Sequence, residues 1–222
     1  MIILAGLLVL PHWWATAILK EFAKPRSDIP GTGAEFARHL LSNLGLENHQ
    51  VELTERGDHF NPDTLTIGLT KSHYWGKSLT AMTVAAHEVG HAVQLKIGYQ
   101  PLQWRSRWVR WAHSVERLGP ILILLVPLIG FGTKTLAASF LSAIIGLMVL
   151  GLPAVVHLIT LPVEWDASFR RSLPILDAGH YLSAKDRAAA SKILLACTLT
   201  YCAASLFSIL NVWRWLRIIR RT

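Results

Sequence analysis

The chain has 222 residues, of which 52% are apolar, and a formal net charge of +8. The excess of lysine and arginine falls at the ends of apolar stretches, without an aromatic-basic recognition motif, so we expect no nucleic-acid partner. The cysteines, Cys197 and Cys202, share one apolar stretch and predict neither a disulfide framework nor a cysteine metal site.

Four apolar stretches predict membrane-spanning helices, since roughly 20 apolar residues of helix cross a bilayer core about 30 Å thick. Residues 1–19 predict an N-terminal anchor, because no Lys or Arg precedes the apolar run; a signal peptide cleaved near Ala15 is the alternative. Residues 121–132 and 136–161 predict a helical hairpin, and residues 193–212 a further span. The predicted fold class is therefore a mostly α-helical integral membrane protein with about four transmembrane helices and a small α+β protease region.

The polar region after the anchor carries the patterns of a small α+β unit. Its first predicted elements are an amphipathic helix and two strands: Thr32–Leu44, Val51–Thr54 and Leu65–Leu69. Ser78 predicts the N-cap of a helix from Leu79 to about Ile97, which Gly98 ends. The strand at Leu65–Leu69 is also a candidate edge strand that could hold an extended substrate by backbone pairing.

The predicted organisation follows from these segments. Its parts are an anchor (1–19), a catalytic region (20–115), a transmembrane hairpin (116–161), a segment supplying the third zinc ligand (162–191), a C-terminal transmembrane helix (192–213) and a basic tail (214–222). Because a hairpin returns the chain to the side that it left, we expect residues 162–191 on the same side as the catalytic region.

The run His87-Glu88-Val89-Gly90-His91 lies inside the last helix of the catalytic region. Residues four apart lie on one helix face, so His87 and His91 can point at one metal ion. Glu88 can reach a metal-bound water, as in the HExxH arrangement of zinc proteases. Gly90 costs roughly 1 kcal/mol relative to alanine inside a helix, so we expect another backbone to approach closely there.

A catalytic zinc needs a third protein ligand and an open position. The candidate acids are Glu116, Glu164 and Asp166. The hairpin argument brings Glu164 beside the HExxH helix, and we predict it as the third ligand; an ion pair with Arg170 or Arg171 is the alternative. Asp166 is predicted to support the site by accepting a hydrogen bond from a ligand imidazole.

Three further residues are auxiliary candidates. His157 lies in an apolar stretch seven residues before Glu164, so it is either functional or a helix–helix hydrogen-bonding residue. His59 and Tyr74 are candidate donors to the oxyanion of the reaction.

The run from Val84 to Gln94 resembles the signature of the YugP-like neutral zinc metallopeptidases of bacterial membranes. The resemblance continues through three further blocks: His59–Pro62, Tyr99–Leu102 and Leu161–Ser168. It implies a zinc-dependent membrane peptidase in which His87 and His91 bind Zn²⁺ and Glu88 is the base. Similarity to the HtpX-like membrane proteases implies Glu164 as the third ligand. The family more often has Gln at the position of His157.

We therefore predict a zinc-dependent membrane endopeptidase. The alternatives are a metal-binding membrane scaffold without turnover and a zinc hydrolase of a non-peptide membrane substrate, such as a lipid amide. The expected partners are a peptide or membrane-protein substrate and the lipid bilayer, with a homo-oligomer left open. The positive residues that flank the predicted spans favour a catalytic side facing the cytoplasm, at the inner membrane of a bacterium.

Overall fold

The computed structural model describes residues 2–112, 114, 156 and 159–199. The helices in these ranges are α1 (Ile2–Glu21), α2 (Gly33–Asn43), α3 (Lys71–Tyr74), α4 (Leu79–Lys96), α5 (residues 100–112), α6 (residues 159–165), α7 (Leu173–Ala178) and α8 (residues 184–199). A π-helix, Asp166–Ser172, joins α6 to α7. The strands are β1 (Gln50–Leu53), β2 (His59–Asn61) and β3 (Thr66–Leu69).

Local side-chain chemistry fixes the ends of the two helices that frame the core. At the start of α2, the Thr32 hydroxyl accepts from the Glu35 N–H, and the Glu35 carboxylate accepts from the Thr32 N–H. At the start of α4, the Ser78 hydroxyl accepts from the Ala81 N–H at 3.1 Å. Gly98 follows α4 with a φ of 67°, a left-handed conformation that ends helices. The predicted N-cap at Ser78 and stop at Gly98 are confirmed.

The strands form one three-stranded sheet with the order β1-β3-β2. β3 pairs in parallel with β1 and antiparallel with β2, so it is the central strand of the described sheet. The prediction that Leu65–Leu69 is an edge strand is therefore wrong. The edge next to α4 is β2, which the sequence analysis did not predict.

α4 lies at the centre of the described residues. Every residue from Leu79 to Ala92 is buried, because α2 packs on one side of the helix and the π-helix on another. A helix enclosed in this way needs no polar stripe. The end of α1 joins the same core, where the Thr80 hydroxyl donates to the Leu19 carbonyl at 2.9 Å.

The structure contradicts the predicted fold class, and the prediction of about four transmembrane helices is wrong. Among the described residues, no helix is both long enough and apolar enough to cross a membrane, and these residues form an α+β domain. The start of the predicted C-terminal span gives the physical reason, because Ile193 and Cys197 are buried in the domain's own hydrophobic core. The rest of that span (200–213) and residues 116–155 of the predicted hairpin lie outside the described residues, and the predicted domain boundaries stay predictions.

Candidate metal centre

Three side chains that can ligate a metal converge between α4 and α6. His87 and His91 lie one turn apart on α4, and Glu164 lies in the last turn of α6. Nε2 of His87 is 3.1 Å from Oε2 of Glu164, and Nε2 of His91 is 3.3 Å from the same oxygen. All three residues are buried. The structure thus brings together the three residues predicted as ligands, while their role as ligands stays a prediction.

The spacing of these atoms fits a zinc ion. Ligand atoms about 2.0–2.1 Å from a tetrahedral zinc lie about 3.3 Å from one another, close to the observed separations. The hydrogen bonding of His91 points the same way, because its Nδ1 faces Oε1 of Gln94, which can only accept. In neutral His91, Nε2 therefore presents a lone pair to the Glu164 carboxylate, and these two acceptors need a proton or a cation between them.

The His91 ring is held by a buried chain of hydrogen bonds. Nδ1 of His91 donates to Oε1 of Gln94 at 3.0 Å. Nε2 of Gln94 donates to the Val163 carbonyl at 2.8 Å and to Oδ2 of Asp166 at 2.9 Å. Arg171 donates to the same carboxylate oxygen at 3.0 Å. This chain fixes the tautomer and the ring orientation that leave Nε2 for a metal.

The His87 ring is held by hydroxyl groups instead. Its Nδ1 lies 3.1 Å from Oγ of Ser168, a residue of the π-helix. The Ser168 hydroxyl also lies 3.0 Å from the Thr198 hydroxyl and donates to the Leu194 carbonyl at 3.3 Å. Through Ser168, the position of His87 depends on α8.

The π-helix packs directly against the HExxH motif at Gly90. A Cβ atom at Gly90 would lie 2.5 Å from Oγ of Ser172 and 2.7 Å from the Ala167 carbonyl oxygen. The Ser172 hydroxyl also contacts the Ala86 carbonyl of α4 at 2.8 Å. The expected close approach of another backbone at Gly90 is confirmed. It places Glu164 and Ser168 against α4, and π-helical segments frequently occur at functional sites.

Glu88 is the one acidic residue of the motif and is fully enclosed. The residue is 1% exposed, and its Oε2 has no hydrogen-bond partner among the described residues. Burial raises the pKa of Glu88 to about 8. A buried, unsatisfied carboxylate oxygen is costly, and it is expected where another group completes the site.

Glu164 is the negatively charged group of the centre, and its pKa is set by burial and by the positive groups next to it. Burial alone would raise the pKa of Glu164, but His91, His87 and Arg105 hold it well below its usual range. Burial lowers the pKa of His87, whereas the Glu164 charge outweighs burial and raises the pKa of His91. Arg105 takes part directly, because its Nη1 lies 3.3 Å from Oε1 of Glu164. One carboxylate thus bridges the histidines and a guanidinium.

The auxiliary candidates lie in different places. Asp166 supports His91 through Gln94, one residue further out than predicted. The His59 ring covers Gly68 and donates from Nδ1 to the Gly57 carbonyl at 2.8 Å. The Tyr74 hydroxyl accepts from Arg38, which also binds the Val51 carbonyl of β1. His157 and the alternative ligand Glu116 lie outside the described residues.

The sequence analysis missed Gln94, Ser168 and Arg105 as residues of the centre. Gln94 lies three residues after His91, and Ser168 four residues after Glu164, so helical spacing was a usable signal for both. The sequence pattern places Arg105 with the positive residues before the predicted hairpin. Nothing in its local sequence indicates a buried carboxylate partner.

An HExxH helix, a third buried acid and outer hydrogen bonds to both imidazoles are the features of a zinc peptidase site. A family profile described as "Putative neutral zinc metallopeptidase" matches residues 1–220, and the chain belongs to this family. The chain is also similar to "Putative membrane protease YugP" of Bacillus subtilis (strain 168), with 32% identity over 213 residues that cover 93% of this chain and 90% of that protein. No solved structure matches the chain. The family resemblance drawn from the sequence motifs is confirmed.

Proposed function

We propose that this protein is a zinc-dependent endopeptidase in which Glu88 is the general base. The observation that carries the proposal is the buried convergence of two imidazole nitrogens and one carboxylate oxygen beside Glu88. The family description and the name of the Bacillus subtilis relative support the same class of activity.

In this proposal each residue of the centre has one task. His87, His91 and Glu164 would hold the zinc ion, and the hydrogen bonds through Gln94 and Ser168 orient the two imidazoles. Bound zinc supplies a Lewis acid that polarises the scissile carbonyl and lowers the pKa of an attacking water. Glu88 would take a proton from the attacking water and pass it to the leaving amine.

The environment of Glu88 suits a base. Burial raises its pKa to about 8, and a divalent cation beside it would lower that value again. A base works best when its pKa lies near the operating pH. The same enclosure argues against the scaffold alternative, since a scaffold gains nothing from an unsatisfied carboxylate in its interior.

We also propose a class of substrate and a location for the protein. We propose a peptide or membrane-protein segment as substrate and association with a bacterial cell membrane, supported by the printed name of the relative. Recovery of the full chain in the membrane fraction after a high-salt wash tests the association. Recovery of all of it in the supernatant would contradict the association and leave the peptidase proposal intact.

The decisive test combines zinc content with peptide turnover. We expect about one zinc per chain by elemental analysis, and cleavage of a mixed peptide library that stops when a chelator removes the metal. Glu88→Gln should keep zinc and lose about 10²–10⁴-fold in turnover, because only proton transfer is removed. Glu52→Gln, at an exposed position of β1, is the matched control and should cleave normally.

Two results would contradict the proposal. Unchanged turnover in Glu88→Gln would exclude Glu88 as the base. Zinc retention without cleavage of any library peptide, together with hydrolysis of a lipid amide, would instead favour the non-peptide hydrolase.

A further inference from the structure

A second feature lies beside the metal centre, between β2 and α5. It is a cavity of about 200 Å³, and His91 forms part of its wall. Phe60 lines it from β2, and Leu102 and Val109 line it from α5. Leu102, Arg105, Ser106 and Val109 face it together because their spacing of three and four residues places them on one side of a helix.

The charged residues at this cavity already have partners. Arg105 pairs with the buried carboxylate of Glu164 at 3.3 Å. Arg110 lies 3.7 Å from Asp63, and both of these side chains are exposed at the rim. A charged group entering the cavity would have to compete with these pairs and lose water. The uncharged walls are mostly apolar, formed by Phe60, Pro62, Leu102 and Val109, and the Ser106 hydroxyl already donates to the Leu102 carbonyl at 3.0 Å. These walls favour an apolar occupant.

The size of the cavity suits one side chain. An enclosed apolar cavity of about 150 Å³ holds a benzene molecule, so a half-open cavity of about 200 Å³ has room for a leucine or phenylalanine side chain. Because His91 belongs to both the wall and the metal centre, such a side chain would lie next to the peptide bond presented for cleavage.

We propose that the cavity between β2 and α5 is a substrate subsite that binds one apolar side chain beside the scissile bond. The inference rests on the proposed peptidase function, and it adds the substrate class: peptides with a leucine-like or phenylalanine-like residue adjacent to the cleaved bond. Arg105 acts here as a positioning residue, which holds Glu164 and closes the inner end of the subsite.

Binding to a zinc-loaded, full-length Glu88→Gln protein tests the inference without turnover. The probes are fluorescein-labelled alanine hexapeptides in which each position in turn is Leu, Phe, Asp or Lys, measured by fluorescence anisotropy. At one position, Leu or Phe should bind about tenfold more tightly than Ala, because the side chain leaves water for an apolar cavity.

Two added tryptophans form a matched pair of variants. Val109→Trp fills the cavity and should abolish the preference for Leu and Phe. Arg107→Trp adds the same side chain at an exposed position of α5 and should preserve it. Measuring the zinc content of both variants shows whether the metal centre is still intact. A third variant, Val109→Ala, enlarges the cavity without filling it and should shift the preference from Leu towards Phe.

The outcomes separate this inference from the proposed function. If no position of the peptide prefers Leu or Phe, the subsite proposal is wrong even if the unmutated protein cleaves peptides. The same holds if a preference for Leu or Phe persists in Val109→Trp. A preference for Asp that disappears in Arg105→Gln would also overturn it and make Arg105 the recognition group. An apolar preference that is lost in Val109→Trp, in a protein whose unmutated form cleaves no peptide, would contradict the peptidase proposal. It would show that the cavity binds an apolar side chain but is not a subsite beside a cleaved bond.

Discussion

Two regions of this molecule join segments that are distant in sequence, and they do so differently. In the metal centre, His87 contacts Glu164 and Ser168 from 77 and 81 residues away, with every partner buried. At the surface, Arg26 binds Asp28 and reaches Asp186, 160 residues away. Arg26 keeps 34% of its side chain exposed and Asp28 keeps 63%, while Asp186 is partly buried with 16%.

The two regions differ in how much it costs to remove one partner of a polar contact. Removing one partner of a buried polar pair leaves the other without water, which costs more than the net energy of the pair itself. An exposed ion pair regains water when it is broken and is screened by salt. The same contact chemistry should therefore be indispensable in the metal centre and nearly dispensable at the surface.

The largest expected effect concerns Glu164. Glu164→Gln should lower zinc affinity by more than the 10–100-fold typical of outer hydrogen-bond partners, because it removes both a ligand charge and the partner of Arg105. Competition with a chromophoric chelator measures the affinity. Glu116→Gln is the control and should bind zinc normally; the opposite pattern would transfer the third-ligand role to Glu116.

Gly90 offers a test of the packing that positions Glu164. Gly90→Ala should destabilise the fold by about 1–3 kcal/mol through overpacking, although alanine is the better helix former by about 1 kcal/mol. Thermal unfolding measures the change. Adding Ser172→Ala should recover part of it, because the added Cβ then meets only the Ala167 carbonyl at short distance. A Gly90→Ala protein more stable than the parent would mean that the π-helix does not pack as described.

The supports of the two histidines can be compared directly. Gln94→Leu should weaken zinc binding about 10–100-fold, because it removes the acceptor of Nδ1 of His91 and breaks the link from that ring to the Asp166 carboxylate. Ser168→Ala should weaken it less, since it removes one hydroxyl and no link to a charged group. Equal losses in the two variants, measured by the same chelator competition, would show that the charged end of the His91 chain contributes little.

The smallest expected effect is at the surface. Arg26 lowers the pKa of Asp28 and Asp186, so its contribution to stability is present above the usual carboxylate pKa and is lost as the pH falls through the lowered values. Arg26→Gln should lower the melting temperature slightly near pH 7, less at high salt, and not at all once both carboxylates are protonated. A large decrease in melting temperature that does not depend on salt would show that Arg26 and its two carboxylate partners are as important for stability as a buried polar contact.

Much of the central helix could be predicted from sequence, because its determinants are local. Ser78 and Gly98 mark its ends, and a separation of four residues places His87 and His91 on one face of any α-helix. The glycine at position 90 even indicated a close neighbour. By contrast, β2 was missed because its three residues are too few to show a period.

In the part of the chain that the structure describes, the membrane-spanning interpretation was wrong for a physical reason that sequence patterns cannot resolve. Apolar side chains leave water equally well for lipid and for a protein interior, so hydropathy does not separate the two environments. Ile193 and Leu194 belong to an apolar stretch, yet they are fully buried in the described domain.

By itself, then, the sequence determined the HExxH helix, its ends and the two imidazoles on one face, since these follow from short-range helical geometry. Only the tertiary structure decided which acid faces them and how each ring is held. Glu164, Ser168 and Arg105 come from separate segments and meet because α6 and the π-helix pack against α4 at Gly90. This packing depends on the complementary shapes of surfaces that are distant in sequence, and the spacing of residues within one helix does not predict it.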